Sequence, residues 1–469
     1  MAMLTALVTT ASGCGTPAER TSVVQPCTAK PGVCIDSLSQ LTAHELRKRS
    51  YRSTFALVSQ TTATAQDSRA FMATYDSDGL NLYARIDLPV APSPGQGYPV
   101  VIIAPGWISP DQAPGWDFGQ QANSFSYNIR AAMISRGFAV VTAGYRGRGT
   151  INGKPSQGLE FTHTWGNASY LSPIFYSIDV LNLIAGISTL NKIDWNDWLA
   201  KDTPSPAFDT SRVSLTAHSQ GGDVALSVLA VTGDNNTFSQ PLAAASIWSG
   251  NIPDRFTQAD TFGPMSSTLQ AFMSGDGTWT GSARGRDGSN NPDFVFPWPA
   301  PWINTLDPES AQWTWQAQQW SVKTVSEVLA NDYKTMYDTL NTYVRDLYGR
   351  SFTLSYTDEG ATRIEHDPDI ARLMPAIGGF NAHQFLKTPL ALHISDRDYY
   401  SLPEWNHDLA QRIGAAGGTA RVFLYAGNDH ALRVSENNWF SPAGTVAGAP
   451  LAVQRDAQLF SGKPLAIIN

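Results

Sequence analysis

Residues Arg212 to Ala230 read Arg-Val-Ser-Leu-Thr-Ala-His-Ser-Gln-Gly-Gly-Asp-Val-Ala-Leu-Ser-Val-Leu-Ala, and a change of rhythm at their centre decides the fold. Val213, Leu215 and Ala217 alternate with more polar positions, as in a strand. From Gln220 onward the apolar residues come almost without a gap, as in a buried helix. Ser219 stands at the corner. Ala217-His218-Ser219-Gln220-Gly221 has the small-x-Ser-x-Gly form in which a sharp strand-to-helix turn strains the serine backbone and lifts its hydroxyl above a sheet. Spacing alone is weak support, since about 0.3 to 0.5 matches arise by chance in a chain this long. A second match, Ala91-Pro92-Ser93-Pro94-Gly95, is flanked by prolines that suit neither a central strand nor a helix interior, so it reads as a loop.

Outward from the turn, apolar strands alternate with helical stretches. Arg69 to Pro89 reads as a hairpin around Asp76-Ser77-Asp78-Gly79. Tyr98 to Ala104 is a continuous apolar run, the pattern of a strand covered on both faces, and it ends in Pro105-Gly106-Trp107. Gly137 to Thr142 is the next buried strand and leads into Tyr145-Arg146-Gly147-Arg148-Gly149. Pro173 to Ile187 carries a helical period. Leu242 to Gly250, Pro389 to Ile394 and Arg421 to Ala426 are three more strands, and a short helix is expected between Ser37 and Ser59. Such alternation implies an α/β fold with a mostly parallel central sheet flanked by helices, catalytic groups gathering at the strands' carboxyl ends.

The rhythm stops between Asn251 and Lys387. Six of the chain's 14 tryptophans fall there, among them Trp298, Trp302 and Trp313, and Asp307-Pro308 begins a helical period that Gly349 would close. This stretch is expected to form a large, mainly helical cap whose tryptophans wall an apolar substrate site. The expected organisation is an arm over 1–35, the first part of the core over 36–250, the cap over 251–387 and the second part of the core over 388–469.

Composition fits a large globular enzyme, with 469 residues, 42% hydrophobic and 15% charged. A net charge of −8 argues against nucleic acid or an anionic membrane surface as partner. No repeat and no apolar span suited to crossing a bilayer is read from the sequence. The start, Met3-Leu4-Thr5-Ala6-Leu7-Val8 followed by Ala11-Ser12-Gly13-Cys14, resembles the end of a bacterial lipoprotein signal, with a lipid anchor at Cys14. It lacks a preceding Lys or Arg, and Ala11 stands where such signals carry Leu, so a shortened secretion signal is the alternative. Either predicts export, as a secreted, periplasmic or outer-membrane protein. Cys27 and Cys34 bracket the turn Pro31-Gly32 and could pair as a small disulfide; the alternative is three free thiols on a loose arm.

A serine hydroxyl needs a base to take its proton, and the base needs a carboxylate to hold its tautomer. His430 and Asp398 each follow directly on a strand end, downstream of Ser219, with Asp396 a rival carboxylate two residues earlier. The other histidines lack that position. His218 sits inside the turn and His393 inside a strand. The order Ser, Asp, His together with the turn resembles the α/β-hydrolase superfamily from about residue 69 to the end, apart from the cap. Tyr75 to Gly79, Tyr145 to Gly149 and Ser219-Gln220-Gly221-Gly222 are similar to dienelactone-hydrolase and prolyl-oligopeptidase-type domains. Pro105-Gly106-Trp107 is similar to the Pro-Gly-aromatic loop of cutinase-like enzymes. The resemblance implies Ser219 as nucleophile, His430 as base and Asp398 as its orienter. It further implies oxyanion-hole N–H groups from Trp107 and Gln220, with Gly106 beside the substrate.

Other chemistries fail on inspection: Gly153-Lys154 runs into Pro155, Gly275-Asp276-Gly277 continues wrongly for a dinucleotide fingerprint, and no cysteine pair has zinc spacing. No cofactor or metal is expected. The reading is an exported serine esterase acting on small-molecule or polymeric esters, bulky or aromatic ones preferred. A serine peptidase without a propeller is the alternative, and a non-catalytic binding protein on the same scaffold is a third.

Overall fold

In a computed structural model the placement of residues 38–121, 124–159, 172–233, 238, 240–254, 256–258, 333–334, 336–341, 350–356, 364–396, 398, 401–434 and 443–464 is described. Nine strands form one sheet. They are β1 (Ala56–Thr61), β2 (Ser68–Ser77), β3 (Leu80–Pro89), β4 (Tyr98–Ala104), β5 (Ala139–Ala143), β6 (Phe208–His218), β7 (Ala244–Trp248), β8 (Leu390–Ile394) and β9 (Ala420–Leu424). Their order is β1-β2-β3-β5-β4-β6-β7-β8-β9. The run β5-β4-β6-β7-β8-β9 is parallel throughout, and β1, β2 and β3 add antiparallel pairs at one edge. Every residue of β4, β5, β7 and β8 is buried, which is why these strands are apolar nearly from end to end.

The hairpin β2–β3 closes through Asp78 and Gly79, at φ 49° and 78°. Two successive left-handed residues match the strands' twist, and Asp-Gly adopts them at low cost. The helix expected within Ser37–Ser59 covers less than that: a 3₁₀ turn Leu38–Leu41 and a single turn Ala43–Leu46. Leu38, Leu41 and Leu46 keep helical spacing, but beyond them the chain extends into β1. That edge strand has exposed and half-buried residues and carries little periodic signal.

Helices cover both faces. Here α1 is Phe125–Ile134, α2 Ser172–Gly186, α3 Gln220–Thr232, α4 Pro403–Ala415 and α5 Gly448–Phe460. Val100 and Ile102 of β4 pack with Ile178, Leu181, Val224 and Leu226 of α2 and α3, whereas Val101 and Ile103 pack with Ile129 and Met133 of α1 and Ala452 of α5. Each such fully buried aliphatic side chain contributes about 1.5–3 kcal/mol. The run Pro173–Lys192 has the length and apolarity to cross a membrane, contrary to the sequence reading, but 83% of its apolar 18-residue window is buried in the core. Of the expected cap, the described end folds onto the core: Ile370, Leu373, Phe380 and Leu386 join the same apolar cluster as α3. Trp298, Trp302 and Trp313 lie outside the described residues, as do Cys14, Cys27 and Cys34.

The chain leaves β4 through α1 for β5, then crosses back to place β6 on the other side of β4. The segments after β4 and β6 therefore diverge around a crevice at the carboxyl ends, the place where such sheets bind ligands.

Candidate active site

Ser219 occupies the corner between β6 and α3 with φ 56° and ψ −125°, a conformation non-glycine residues seldom adopt. Neighbouring backbone holds it there. Its N–H donates to the Trp248 carbonyl at 3.0 Å, and its own carbonyl accepts from Gly222 at 2.8 Å and Asn251 at 3.1 Å. Glycines let the turn close. A Cβ on Gly221 would lie 2.3 Å from the Ala104 carbonyl oxygen, and one on Gly222 would lie 2.6 Å from Gly250 Cα, so α3 is pressed against the ends of both β4 and β7.

The Pro105-Gly106-Trp107 loop after β4 lies alongside. A Cβ on Gly106 would be 3.2 Å from Ser219 Cβ, so Gly106 is the residue against the serine. Trp107 is partly exposed, and its N–H has no hydrogen-bond partner among the described residues. Gln220 is buried and is the first residue of α3.

After β8, Asp398 is buried, and its Oδ2 accepts from His430 Nδ1 at 2.9 Å while Oδ1 accepts from the Ser401 N–H at 3.2 Å. Ser401 Oγ in turn donates to the Gly250 carbonyl and accepts from Asn406 Nδ2 at 3.2 Å, which ties the acid's loop to the backbone behind the serine turn. The rival Asp396 is engaged otherwise, accepting from the Gly427 N–H at 2.7 Å. Of the two carboxylates, Asp398 is the one on His430.

Because a carboxylate only accepts, His430 carries its neutral-state proton on Nδ1 and leaves Nε2 as the basic nitrogen. Burial pushes the imidazole's pKa down, but the charge and hydrogen bond of Asp398 outweigh this and raise it above the usual 6.5. The loop bearing His430 is clamped from both ends. Buried Asn428 donates to the carbonyls of Ala426 (3.0 Å) and Val446 (3.1 Å) and accepts from the Gly448 N–H (2.7 Å), and Asp429 accepts from the N–H groups of Ala431 (2.8 Å) and Arg433 (2.9 Å).

His218 links the two halves. Its Nε2–H donates to the His430 carbonyl at 3.2 Å, and the two rings lie 4.9 Å apart between centroids. Burial, with the neighbouring His430 adding, pushes its pKa down to about 3, so it stays neutral and keeps that donor. Phe125 stacks on its other side at 4.8 Å. Sequence position marked His218 as part of the turn; its hold on the histidine loop has no local signal.

Sequence reasoning assigned Arg148 no role of its own. It is 1% exposed, and its Nη1 donates to the Gly106 carbonyl at 2.9 Å while Nη2 reaches Gln220 Oε1 at 3.4 Å. Tyr145 Oη donates to the adjoining Pro105 carbonyl at 2.9 Å. Arg146, two residues earlier, points elsewhere, pairing with buried Asp179 at 2.7 Å and fastening the loop to α2.

No protein-family model matches the sequence, and a search of curated proteins finds no match. Among solved structures the chain is similar to an acetyl xylan esterase from a Paenibacillus species, at 13% identity, TM-score 0.44, covering 90% of this chain and 92% of that one. It is likewise similar to acetyl xylan esterase 1 from a Thermoanaerobacterium species (12%, TM-score 0.42, 90% and 93%) and to a thermostable esterase from Pseudomonas putida (13%, TM-score 0.42, 87% and 86%). At these values the likenesses are of general shape. The strand order, the crossover that opens a crevice between β4 and β6, and the strained serine turn at its mouth give this chain the α/β-hydrolase fold.

Proposed function

We propose that this protein is a serine hydrolase that cleaves carboxylic esters through an acyl-enzyme intermediate. One observation carries the reading: a serine held in a strained turn shares the sheet's carboxyl edge with a histidine–aspartate pair whose loop is hydrogen-bonded to the serine's own neighbour, His218. In this reading Ser219 Oγ attacks the ester carbonyl while His430 Nε2 takes the hydroxyl proton, and Asp398 stabilises the imidazolium formed. The carbonyl oxygen becomes an oxyanion facing the backbone N–H groups of Trp107 and Gln220. His430 returns the proton to the leaving alcohol, and water attacks the acyl-enzyme by the same route. Regenerated Ser219 ends the cycle.

The preferred substrates are bulky or aromatic esters, lined by Gly106 and by Trp298, Trp302 and Trp313 of the 251–387 stretch. Burial of an aromatic ring against such a wall is worth on the order of 2 kcal/mol, about thirtyfold in affinity. The protein acts outside the cytoplasm, either free or anchored through a lipid on Cys14. A fluorophosphonate labelling experiment, followed by a panel of p-nitrophenyl esters of rising acyl size beside aminoacyl nitroanilides, tests this reading. Labelling at Ser219 and turnover of esters are expected. Labelling elsewhere refutes the assignment, and faster cleavage of the anilides makes the enzyme a peptidase.

A further inference from the structure

Arg148 is a buried guanidinium with no carboxylate partner among the described residues. Removing such a charge from water costs several kcal/mol unless other groups compensate. Here the rings of Tyr145 and Tyr176, stacked 4.5 Å apart, lie 4.4 and 4.9 Å from its guanidinium carbon, and two oxygens accept its hydrogen bonds. Those oxygens belong to Gly106 and Gln220, on the two segments that flank Ser219. Arg146, in contrast, spends its charge on Asp179, with two further hydrogen bonds to that carboxylate from its Nε at 3.1 Å and its N–H at 3.0 Å.

The Gly106 carbonyl and the Trp107 N–H are the two ends of one peptide unit. That unit is planar and trans, so they point in opposite directions. Whatever grips the carbonyl aims the N–H. With Tyr145 on the Pro105 carbonyl and Arg148 on the Gly106 carbonyl, the first two carbonyl oxygens of this loop are tied to the buried side. The unpartnered Trp107 N–H is left facing away from that anchorage. A cation on the carbonyl also polarises the peptide and makes its N–H a stronger donor.

We propose that Arg148 is the positioning residue of the oxyanion hole: it sets the direction and donor strength of the Trp107 N–H through the Gly106 carbonyl and steadies Gln220 from the same guanidinium. The proposal rests on the esterase reading above. Its effect appears only when negative charge develops on the substrate oxygen.

The test compares Arg148→Gln and Arg148→Lys with wild type on a p-nitrophenyl ester and a boronic acid, which becomes a tetrahedral anion on the serine. Loss of a single oxyanion donor costs about 10²–10³ in kcat, and a misaimed donor is expected to cost about 30- to 100-fold in Arg148→Gln, with KM within about threefold. Boronate affinity falls by the same factor as kcat, and affinity for the product carboxylate stays put. Arg148→Lys keeps a charge but cannot hold two acceptors in a fixed fork, and loses about tenfold in both. A kcat within threefold of wild type in Arg148→Gln overturns the proposal. So does a fall in kcat with unchanged boronate affinity. Should Arg148→Gln fail to fold, Arg148→Lys decides, because wild-type kcat and boronate affinity in that variant equally overturn it. Fluorophosphonate labelling of wild type and its loss in Ser219→Ala judge the esterase reading separately.

Discussion

Two histidine–aspartate pairs of nearly equal geometry stand among the described residues. His430 and Asp398 meet at 2.9 Å, His393 and Asp456 at 2.8 Å. The first stands at the rim of the sheet with the His430 side chain 24% exposed; the second is 0% exposed on both partners and lies inside the sheet's packing with α5. Both imidazole nitrogens of His393 are taken, one by Asp456 and the other by Tyr425 Oη at 2.8 Å. Asp456 further accepts from Ser246 Oγ at 2.7 Å and Trp248 Nε1 at 2.8 Å, so it satisfies three donors from two strands. A hydrogen-bonded pair is thus no base in itself. What separates them is exposure: the second nitrogen of His393 is bonded inside the core, whereas the His430 side chain reaches the rim.

The strongest way to break this comparison is to remove the reactive groups at the rim. Ser219→Ala and His430→Ala are expected to lower kcat by about 10⁴ or more while the urea midpoint scarcely moves. Activity within tenfold of wild type in either would show that the rim pair does no chemistry. Next comes the carboxylate: Asp398→Asn is expected to lower kcat by about 10³–10⁴, and Asp396→Asn, whose side chain holds the Gly427 N–H instead of His430, by less than about tenfold. The reverse ranking in initial-rate assays would transfer the role to Asp396.

The interior pair should respond in the opposite sense. Asp456→Ala leaves the buried donors of His393 and Trp248 without an acceptor, while Ser246 Oγ keeps Thr216 Oγ1 at 2.9 Å, and is expected to cost about 3 kcal/mol or more in equilibrium unfolding, with kcat per folded molecule within about threefold. A variant that keeps its stability and loses activity would make the two pairs equivalent. A pH series sharpens the contrast further. His430 must be neutral to act as base and its pKa is raised, so kcat/KM should rise tenfold per pH unit at low pH and level off above the ordinary histidine value of 6.5. Asp398→Asn should move that midpoint down. The smallest effect concerns histidines that stay neutral: burial holds His218 near 3 and His366 near 4. The unfolded chain takes up protons below about 6.5 that the folded one refuses, so stability falls as pH drops through this window, by about 1 kcal/mol per histidine at pH 5.5. A thermal midpoint that stays flat from pH 7 to 5.5 would contradict their burial as neutral groups.

Much of the sheet was legible because burial on two faces writes itself as uninterrupted apolar sequence. β4 begins and ends at Tyr98 and Ala104 as read, and Asp78-Gly79 marks the hairpin by its backbone preference alone. β1 was not legible. It is an edge strand with little buried surface, and the short helix expected between Ser37 and Ser59 on Leu38, Leu41 and Leu46 stops at Leu46. At the site, Ser219, Asp398 and His430 stood out by their positions after strands, but spacing alone ranked Asp398 against Asp396; the direction of the Asp398 carboxylate separates them. Arg148 carried no signal of its own, since hydropathy sends every arginine to the surface. Only the fold brings Tyr145 and Tyr176 around it. Asp456 was silent for a related reason, as its partners lie on strands more than sixty residues earlier.

The anchoring of α5 through Asp456 also bears on how the chain is made. Residues 448–460 cover the face of the sheet that carries Val101, Ile103 and Val140, and they supply the acid that His393, Ser246 and Trp248 await. During synthesis the part of that face that α1 leaves bare, and those three donors, stay wet until residues 448–460 have been made. The covering of that side is therefore completed by a segment that follows all nine strands in chain order, and until it is made the bare apolar surface is open to association with other unfinished chains.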